Sequence, residues 1–577
     1  MSNRLTNLIA TFLLIFIFLV AIFSIKDDSL TMDELAHLPA GYSYLTQKDM
    51  RLNPEHPPLI KDFAAFPLLF IKDIKFPSEI KAWKNDVNGQ WEFGNYFLFK
   101  TGNPADKMIF WARVPMLLVL ILLGFFLFKW TKELFGNKAA VLSLTLFSFS
   151  PTLLAHGRLV TTDVGAAIGV FIATYYFLNA LKEPTQKRII ISGLALGFAL
   201  LLKFTTVILI PFFVLLALLH YWSVRNLYFR KIILHLFYVF IIAAVLIWPV
   251  YFYHTFNYPS EKQAGDIKYL LSSHPFQFLG PALAKMAYEP VLKPYAQYLL
   301  GLSLNFQRGV SGNTGYFLGE VSSEGWKQYF PVVYSIKEPL AFHILTLIAL
   351  LYGAWLIKRP FWQDTIARLK NLAKNHFPEL AMFLFILIYW TFSVISSLNI
   401  GVRHLLPVFP FTIMLISAGI ISWLGSNRSK LKYSALLLLI FWQIISVSSV
   451  YPHYLSYFNE IAGGADNGYQ FVVDSNYDWG QDLKRLAKFV EENKISKIKV
   501  DYFGGGDVKY YLDARWDKFD PKSGPQKGWL AISATLLQGG RGSPVPGFNE
   551  PTGYYNWLNN YEPIARAGKS IFIYYIP

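Results

Sequence analysis

Two adjacent acids, Asp33 and Glu34, follow the long apolar run at 8–25, and His37 comes close behind them. The apolar run is long enough to cross a bilayer as a helix. A carboxylate so close to lipid is costly unless it is solvated, paired or used. Such a carboxylate can take a proton from a hydroxyl group, so this pair is a candidate for general base chemistry.

Further polar groups occupy short turns between later apolar runs. Asp163 ends one such turn, Lys203 forms the next, and Arg403 and His404 lie in the sequence NIGVRHLLP. Cations can stabilise the charge that develops on phosphate oxygens, and arginine does so with a two-pronged fork. The combination of acids and cations predicts one cavity at the membrane–water boundary that accepts an anionic, lipid-linked substrate.

Each of these residues also has a simpler interpretation. Asp33 and Glu34 could be solvated acids at a helix start, where they favour the helix dipole. Asp163 could cap the helix that follows it. Arg403 and Lys203 could extend their charged ends towards water from an interfacial position. The histidines of these segments are as consistent with packing as with metal binding, and no pair has a spacing typical of zinc: His37, His56, His156 and His404.

Composition indicates an integral membrane protein with one soluble tail. Of 577 residues, 54% are hydrophobic and only 16% are charged, and the mean hydropathy is +0.35. The net charge of +16 is explained by cytoplasmic loops that face anionic lipid, without a nucleic acid partner. The absence of cysteine excludes disulfides, thiolate catalysis and zinc–cysteine sites.

The predicted fold is a polytopic α-helical membrane protein with about eleven transmembrane helices and a C-terminal α/β domain. The transmembrane part covers 1–451, with long outer loops at 26–108 and 254–338, and the soluble domain covers 452–577. The apolar windows are 8–25, 109–128, 139–155, 164–181, 189–202, 204–220, 232–253, 339–357, 378–397, 404–424 and 433–450.

Charge asymmetry orients these spans, because basic residues accumulate in cytoplasmic loops. With Arg4 inside, all the short inner loops are basic, which predicts a multi-pass protein of the cell membrane with its N-terminus in the cytoplasm and its tail outside. We expect the first span to be an uncleaved signal anchor, because no A-x-A site follows it. The inner-loop basic residues are Lys129, Lys132, Lys138, Lys182, Lys187, Arg188, Arg225, Arg230, Lys231, Lys358, Arg359, Arg368, Lys370, Lys374, Arg428, Lys430 and Lys432.

The tail has a different pattern, with short β-type runs separated by a helical stripe of Leu483, Leu486 and Val490. Alternation of strands and helices predicts a small three-layer α/β domain with a largely parallel sheet. The predicted strands are FVVDS (471–475), KIKVDYFG (497–504), GWLAISATLLQ (528–538) and SIFIYYIP (570–577).

The ordered set of motifs resembles the C-type glycosyltransferases, and within them the bacterial protein O-mannosyltransferase/aminoarabinose transferase-like group, the phospholipid carrier-dependent glycosyltransferases. The resemblance spans about 32 to about 490. The matching segments are MDELAHLPAGYSYL, RLNPEHPPLIK, AHGRLVTTD, GYFLGEVSSEGWKQYFPVVYSIKEPL, NIGVRHLLPVFP and YPHYLSYFNEIAGGADNGYQFVVDSNYDWGQDLKRLAKFV.

The resemblance implies transfer of one sugar from a polyprenyl-phosphate donor to a protein, lipid or glycan acceptor on the outer membrane face. Asp33 matches the catalytic acid of the first loop, with Glu34 beside it, and Asp163 matches the acid of the second loop. The expected mechanism is inverting, with a carboxylate as base whose pKa is raised by partial burial. The donor phosphate is expected to bind Arg403 and Lys203.

The remaining expectations concern accessory groups and cofactors. His404 is expected to join the phosphate site, and the possible accessory residues are His37, His56, Arg158 and Glu320. Some branches of the family use a divalent metal and others do not, so a requirement for Mg or Mn stays open, with Asp33 and Asp163 as candidate ligands. Membrane lipids are expected partners, and nucleic acid is not.

Two other functions remain compatible with the sequence. A flippase or transporter of lipid-linked glycans would more often place ionisable groups mid-span and show broken helices in paired repeats. A non-catalytic membrane assembly subunit would use the α/β tail as its binding module. The charges at the outer turns favour the transferase over both.

The orientation can be tested with a reporter fused after Pro577. We expect the reporter to be active only on the outer side of the membrane, because the basic loops hold the opposite ends of the spans inside. A matched fusion in the loop near Lys132 should report the cytoplasm. Cytoplasmic activity of the Pro577 fusion would show that the predicted number of spans is wrong by one.

Overall fold

Long apolar helices form the framework of the chain in this computed structural model, which describes residues 1–224, 229–356, 363–427 and 429–577. They are Asn3–Ser24, Ala105–Ser148, Asp163–Lys182, Gln186–Leu200, Leu209–Ser223, Phe229–Thr255, Leu340–Leu356, Phe377–Ile395, Phe409–Ser426 and Lys430–Ser448. Each predicted apolar window falls on one of these helices. The prediction of a polytopic α-helical membrane protein is therefore confirmed.

The number of spans depends on how bent and short helices are counted. Among the described residues, eight helices are long and apolar enough to cross a membrane, or nine if the bent pair Tyr329–Lys337 and Leu340–Leu356 forms one span. The sequence predicts about eleven because it counts Gln186–Leu200, which is only 15 residues long, and treats Ala105–Ser148 as two spans.

The segment Ala105–Ser148 folds back on itself at Gly136. Gly136 has φ 79° and ψ −179°, a backbone conformation that is open to glycine and strained for other residues. The two arms meet on either side of it, since the Ser143 hydroxyl donates to Thr131 Oγ1 at 3.2 Å and Gly124 packs against the ring of Phe147. The two-span interpretation of this segment therefore agrees with its geometry.

Shorter helices lie in the two long loops, 26–108 and 254–338, and between the apolar helices. In the first loop these are Met32–Gln47, Leu59–Ala65, Lys81–Lys84 and Gln90–Asn95, with a π-helical turn at Tyr96–Lys100. The second loop contains Ser260–Leu270, Leu279–Met286, Lys293–Ser311 and Tyr329–Lys337, and two further helices are Pro151–His156 and Thr365–Asn375. Short 3₁₀ helices occur at Phe66–Phe70, Phe204–Ile208, Val402–Val408, Tyr454–Ser456, Glu460–Ala462, Gly468–Gln470 and Asp474–Asn476. Four of the predicted inner-loop basic residues, Arg225, Lys358, Arg359 and Arg428, lie outside the described residues.

The C-terminal domain is built on a five-stranded mixed sheet. Its strands are β3 (Ile498–Asp501), β4 (Trp516–Asp517), β5 (Gly528–Ser533), β7 (Ala565–Ala567) and β8 (Ile571–Ile576), and a smaller sheet contains β1 (Gly315–Phe317), β2 (Glu320–Ser322) and β6 (Ser543–Pro544). The five-stranded order is β4-β3-β5-β8-β7. The helices of the domain are Leu483–Glu492, Val508–Leu512 and Ala534–Arg541, with 3₁₀ turns at Asp513–Arg515, Pro521–Ser523 and Asn556–Asn560.

Three details of the predicted tail are wrong. The sheet is mixed, because β3 pairs in parallel with β4 and β5 while β8 runs antiparallel to β5 and β7. Residues 471–475 make only an isolated bridge at Val472 and then a 3₁₀ turn. The run 528–538 is a strand only as far as Ser533 and continues as the helix Ala534–Arg541. The helical stripe at Leu483–Glu492 is confirmed.

The tail is joined to the outer loops by backbone hydrogen bonds. β6 extends the β1–β2 hairpin of the second outer loop, and Leu318 N donates to Phe471 O at 2.9 Å. Met32 N donates to Trp479 O at 3.0 Å, so the tail also reaches the first loop. The C-terminal domain therefore lies against both long loops, 26–108 and 254–338.

Candidate active site

The helix Met32–Gln47 begins with a reciprocal cap. Thr31 precedes it, and the backbone N and the hydroxyl of Thr31 both donate to Glu34 Oε2 at 2.9 Å. This capping box satisfies backbone groups that a helix start leaves without partners. Asp33 lies in the same first turn, so the acid pair does lie at the start of a helix.

Glu34 is fully buried and saturated with donors. Arg113 binds it with both prongs, Nε to Oε1 at 2.8 Å and Nη2 to Oε2 at 2.6 Å, and Val160 N donates to Oε1 at 2.9 Å. The Arg113 guanidinium also donates to the carbonyls of Asp28 and Ser29. Glu34 therefore ties the first loop to the helix that contains Arg113 and to the turn before Asp163, and it does not line the cavity described below.

Asp33, its neighbour, points to a different group of residues. Arg403 Nη1 lies 2.7 Å from Asp33 Oδ2 and 3.2 Å from Asp163 Oδ2. Lys203 Nζ lies 2.5 Å from the other oxygen of Asp163. The structure thus brings together four of the predicted site residues as one chain of alternating charges, Asp33–Arg403–Asp163–Lys203.

Exposure differs along this chain of charges. The side chains of Asp163, Arg403 and Lys203 are 1%, 7% and 8% exposed, whereas that of Asp33 is 25% exposed. Buried charges are stable only when paired, because desolvation of an isolated ion costs several kcal/mol. Lys203 and Arg403 therefore do not extend to water, and Asp33 is the acid of this group that is open to a second molecule.

The pKa of Asp33 departs from the sequence-based expectation. Burial raises the pKa of its carboxyl, but the charge of Arg403, the nearby His37 and the Arg403 hydrogen bond together lower it below the ordinary value. The expectation of a raised pKa is therefore wrong for this state of the site, because it considered lipid burial without the cation that Asp33 contacts. As long as Arg403 stays in place, Asp33 is a weak base.

A cavity of about 280 Å³ opens above these charges. Its walls come from the first loop, the turns before Asp163 and Phe204–Ile208, the helices Lys293–Ser311 and Phe377–Ile395, and the turn Val402–Val408. Its charged and titratable lining residues are Asp33, His37, Glu55, His56, Lys203, Arg308, Tyr389, Arg403 and His404. The apolar residues that line the cavity are Ala36, Trp91, Ile208, Phe330, Phe392, Leu398 and Ile400.

The predicted histidines of the first loop lie in this cavity. His37 Nδ1 lies 3.0 Å from Val160 O, and its ring meets that of His56 edge to face at 5.2 Å. Burial lowers the pKa of both imidazoles, which favours their neutral forms. Two other accessory candidates lie elsewhere: Arg158 pairs with Asp28 at 2.8 Å in a buried network, and the exposed Glu320 accepts from the Trp326 indole at 2.9 Å.

Several cavity and contact residues were not singled out from the sequence. Arg308 and Tyr389 line the cavity. Ser475 contacts the Nε of Arg403, and the ring of Trp479 contacts the face of its guanidinium. Arg308 belongs to a long outer-loop helix, and nothing in its local pattern indicated its orientation. The segment DSNYDWG was part of the family resemblance, and its acids and its tryptophan in an irregular stretch were the only available signal.

The geometry does not fit a metal site as it stands. Asp33 and Asp163, the candidate ligands, each accept from Arg403, and Asp163 also accepts from Lys203. Across the ranges that the structure describes, no three His, Asp or Glu side chains are grouped so that they could hold a metal ion. Arg403 and Lys203 are thus the cations that pair with these two acids in this structure.

Part of the chain matches a known protein family. Residues 105–252, about a quarter of the chain, match the family described as dolichyl-phosphate-mannose-protein mannosyltransferase. This match confirms the resemblance to membrane glycosyltransferases of the C type that the sequence predicts. No curated protein sequence matches the chain significantly.

Two solved structures are similar over nearly the whole chain. One is ArnT from Cupriavidus metallidurans bound to undecaprenyl phosphate, with 12% identity, a TM-score of 0.48, and coverage of 100% of this chain and 98% of that one. The other is the archaeal oligosaccharyltransferase AglB from Archaeoglobus fulgidus in complex with an inhibitory peptide and a dolichol-phosphate. It has 10% identity, a TM-score of 0.47, and coverage of 97% and 74%.

We expect the Glu34–Arg113 pair to stabilise the folded protein. Arg113→Met leaves a buried carboxylate without its cation, which costs about 3–5 kcal/mol, and should lower the unfolding temperature in detergent. Glu34→Gln combined with Arg113→Met should recover part of this loss, because no buried charge remains. Unfolding at the wild-type temperature in Arg113→Met would show that the pair does not stabilise the first loop.

Proposed function

We propose that the protein is a glycosyltransferase that moves one sugar from a polyprenyl-phosphate sugar to an acceptor hydroxyl on the outer face of the cell membrane. The observation that supports this most strongly is the position of Arg403, between Asp33 and Asp163, at a cavity that Lys203 and several apolar side chains also line. An anionic headgroup with a lipid tail is the ligand that such a lining and such cations favour.

The cations supply phosphate binding. Arg403 presents a planar fork suited to two phosphate oxygens, and Lys203 adds a point charge near the same position. Both are nearly buried, and charge stabilisation is stronger where water is excluded. Arg308, which also lines the cavity, adds positive charge that attracts the donor.

Asp33 is the proposed base, and donor binding would activate it. When phosphate takes the Arg403 fork, Asp33 loses its closest cation and gains a nearby anion, and both changes raise the pKa of its carboxyl. Asp33 then becomes a competent base only when the donor is in place. Asp163 keeps Lys203 as its partner and is proposed to orient the two cations.

In the proposed step, one bond to the anomeric carbon of the sugar forms and one bond to it breaks. The acceptor oxygen attacks the anomeric carbon from the side opposite the phosphate, and its proton passes to an Asp33 carboxylate oxygen. The bond between the anomeric carbon and the phosphate oxygen breaks with its electron pair, so polyprenyl phosphate leaves with an added negative charge that Arg403 and Lys203 stabilise. A single displacement of this kind inverts the anomeric centre.

The role of Glu34 follows from its partners. Since all its contacts are with Arg113, Thr31 and Val160, we propose that Glu34 positions the Asp33 helix and does not react. His404, His37 and His56 line the cavity as groups whose neutral forms can accept or donate hydrogen bonds to sugar hydroxyls.

Arg403 substitutions test phosphate binding. Arg403→Ala should weaken binding of undecaprenyl phosphate about 10–100-fold, since hydrogen bonds to charged groups contribute about 1.5–3 kcal/mol. Arg403→Lys should be milder, because the charge remains while the fork is lost. Lys432→Ala, which removes a cation stacked on Trp423 away from the cavity, is the matched control. Unchanged binding in both Arg403 variants would make Arg403 a purely structural residue.

Asp33→Asn tests the chemical step. The variant keeps the size of the side chain but loses its basicity, so turnover of polyprenyl-phosphate sugars should fall about 10²–10⁴-fold while donor binding is retained. Asp106→Asn is the control and should retain wild-type turnover, because Asp106 is a half-exposed acid that pairs with Lys484. Full activity of folded Asp33→Asn protein would remove Asp33 from the mechanism.

A further inference from the structure

A segment of the C-terminal domain contacts Arg403 and also Met32, the residue directly before Asp33. We call residues 474–481 the strap. Its two contacts with Arg403 are the Ser475 hydroxyl, which accepts from Arg403 Nε at 3.1 Å, and the Trp479 ring, whose centre lies 4.2 Å from the guanidinium carbon. Ser475 is in turn fixed by donating to Ile400 O at 2.5 Å.

The strap also holds the start of the helix that carries Asp33. Trp479 O accepts from Met32 N at 3.0 Å, and Gln481 O accepts from Ser29 N at 2.9 Å. The Ser29 hydroxyl donates to Gly480 O at 2.8 Å. Asp33 follows Met32 directly, so the backbone position of the proposed base is set by the same few residues that fix Arg403.

The strap is fastened to the α/β domain by several hydrogen bonds. The Tyr477 hydroxyl donates to Lys569 O at 3.0 Å, and the Tyr502 hydroxyl donates to Gly480 O at 2.7 Å. Thr535 follows β5, and its backbone N donates to Asp478 Oδ2 at 2.8 Å while its hydroxyl donates to Asp478 O at 3.0 Å. The same hydroxyl accepts from Asp474 N at 3.0 Å. Both ends of the strap are therefore held by the folded domain, and Trp479, at 1% exposure, is packed between the domain and the membrane part.

We propose that the strap is a positioning element of the transferase site, and that the C-terminal domain sets the geometry between the phosphate-binding Arg403 and the base Asp33. The proposal rests on the proposed function for the identity of the ligand. Ser475 and Trp479 engage Nε and the face of the guanidinium, so the two terminal nitrogens of Arg403 can turn to phosphate while its other edge stays fixed. Mutations in the soluble domain then act on donor affinity although they touch neither donor nor acceptor.

The position of the strap can be tested without any ligand, because the chain contains no cysteine. A Cβ at residue 401 would lie 3.4 Å from the Cβ of Ser475, close to the 3.5–4.5 Å of disulfides. Gly401→Cys with Ser475→Cys should therefore become resistant to thiol labelling in membranes until reductant is added. Gly401→Cys with Gly539→Cys is the control, since a Cβ at Gly539 has nothing within 4 Å. Full labelling of the first pair would place the strap elsewhere and overturn the proposal.

Binding of undecaprenyl phosphate tests the positioning role in the full-length protein. Ser475→Ala should lower affinity about 3–10-fold, the effect of one hydrogen bond, and Trp479→Leu should lower it similarly while Trp479→Phe, which keeps an aromatic face, should be milder. Ser143→Ala is the control, because its equally buried hydroxyl bonds only within the first helical hairpin. Unfolding temperatures separate this effect from loss of structure.

The outcomes distinguish the two proposals. Suppose that Ser475→Ala and Trp479→Leu bind undecaprenyl phosphate as tightly as the wild type, while Arg403→Ala does not bind it. That result would overturn the role of the strap and leave the proposed function intact. A wild-type protein that binds no undecaprenyl phosphate would overturn the proposed function, and the positioning role with it. Weaker binding in the strap variants at unchanged unfolding temperature, with Ser143→Ala like the wild type, is the expected result.

Discussion

The pairing of Arg403 with Asp33 and Asp163 is the interaction on which the rest of the site depends. One nitrogen of the guanidinium lies within 3.2 Å of both carboxylates, although the three residues come from chain segments more than a hundred residues apart. Each charge is nearly or partly buried, and none could stay charged there without the others. The apolar helices must therefore pack so that the three segments that carry these residues meet at one level along the helix axes.

The adjacent acids Asp33 and Glu34 serve different purposes because of helix geometry. Successive residues of a helix point about 100° apart, so Asp33 faces the cavity while Glu34 faces Arg113. The Glu34–Arg113 pair continues into a second buried network, in which Asp28 binds both Arg158 and Arg485 at 2.8 Å. These ion pairs connect the first loop, the helical hairpin and the C-terminal domain. They fix the position of the backbone that carries Asp33.

The sequence predicts the helical membrane fold and the grouping of Asp33, Asp163, Lys203 and Arg403 because each depends on local patterns, but it also assigns Glu34 to the same cavity, which Glu34 does not line. Apolar windows mark helices, and charged turns between them must meet at one membrane face. The details that failed depend on contacts between distant segments. The pKa of Asp33 is lowered by Arg403, 370 positions along the chain. Residues 471–475 have a strand-like composition, but only Val472 forms a bridge, with Phe317, and a 3₁₀ turn begins at Asp474. The roles of Ser475 and Trp479 could not be predicted, because no local pattern indicates that a soluble domain contacts a residue of a membrane turn.

A structure of the protein with bound undecaprenyl phosphate tests the central claim most directly. We predict that the phosphate lies within hydrogen-bond distance of Arg403 and Lys203 and that the 2.7 Å contact between Arg403 and Asp33 is broken, which frees the carboxylate for the acceptor. A phosphate bound away from Arg403, with the Asp33–Arg403 pair intact, would contradict the account.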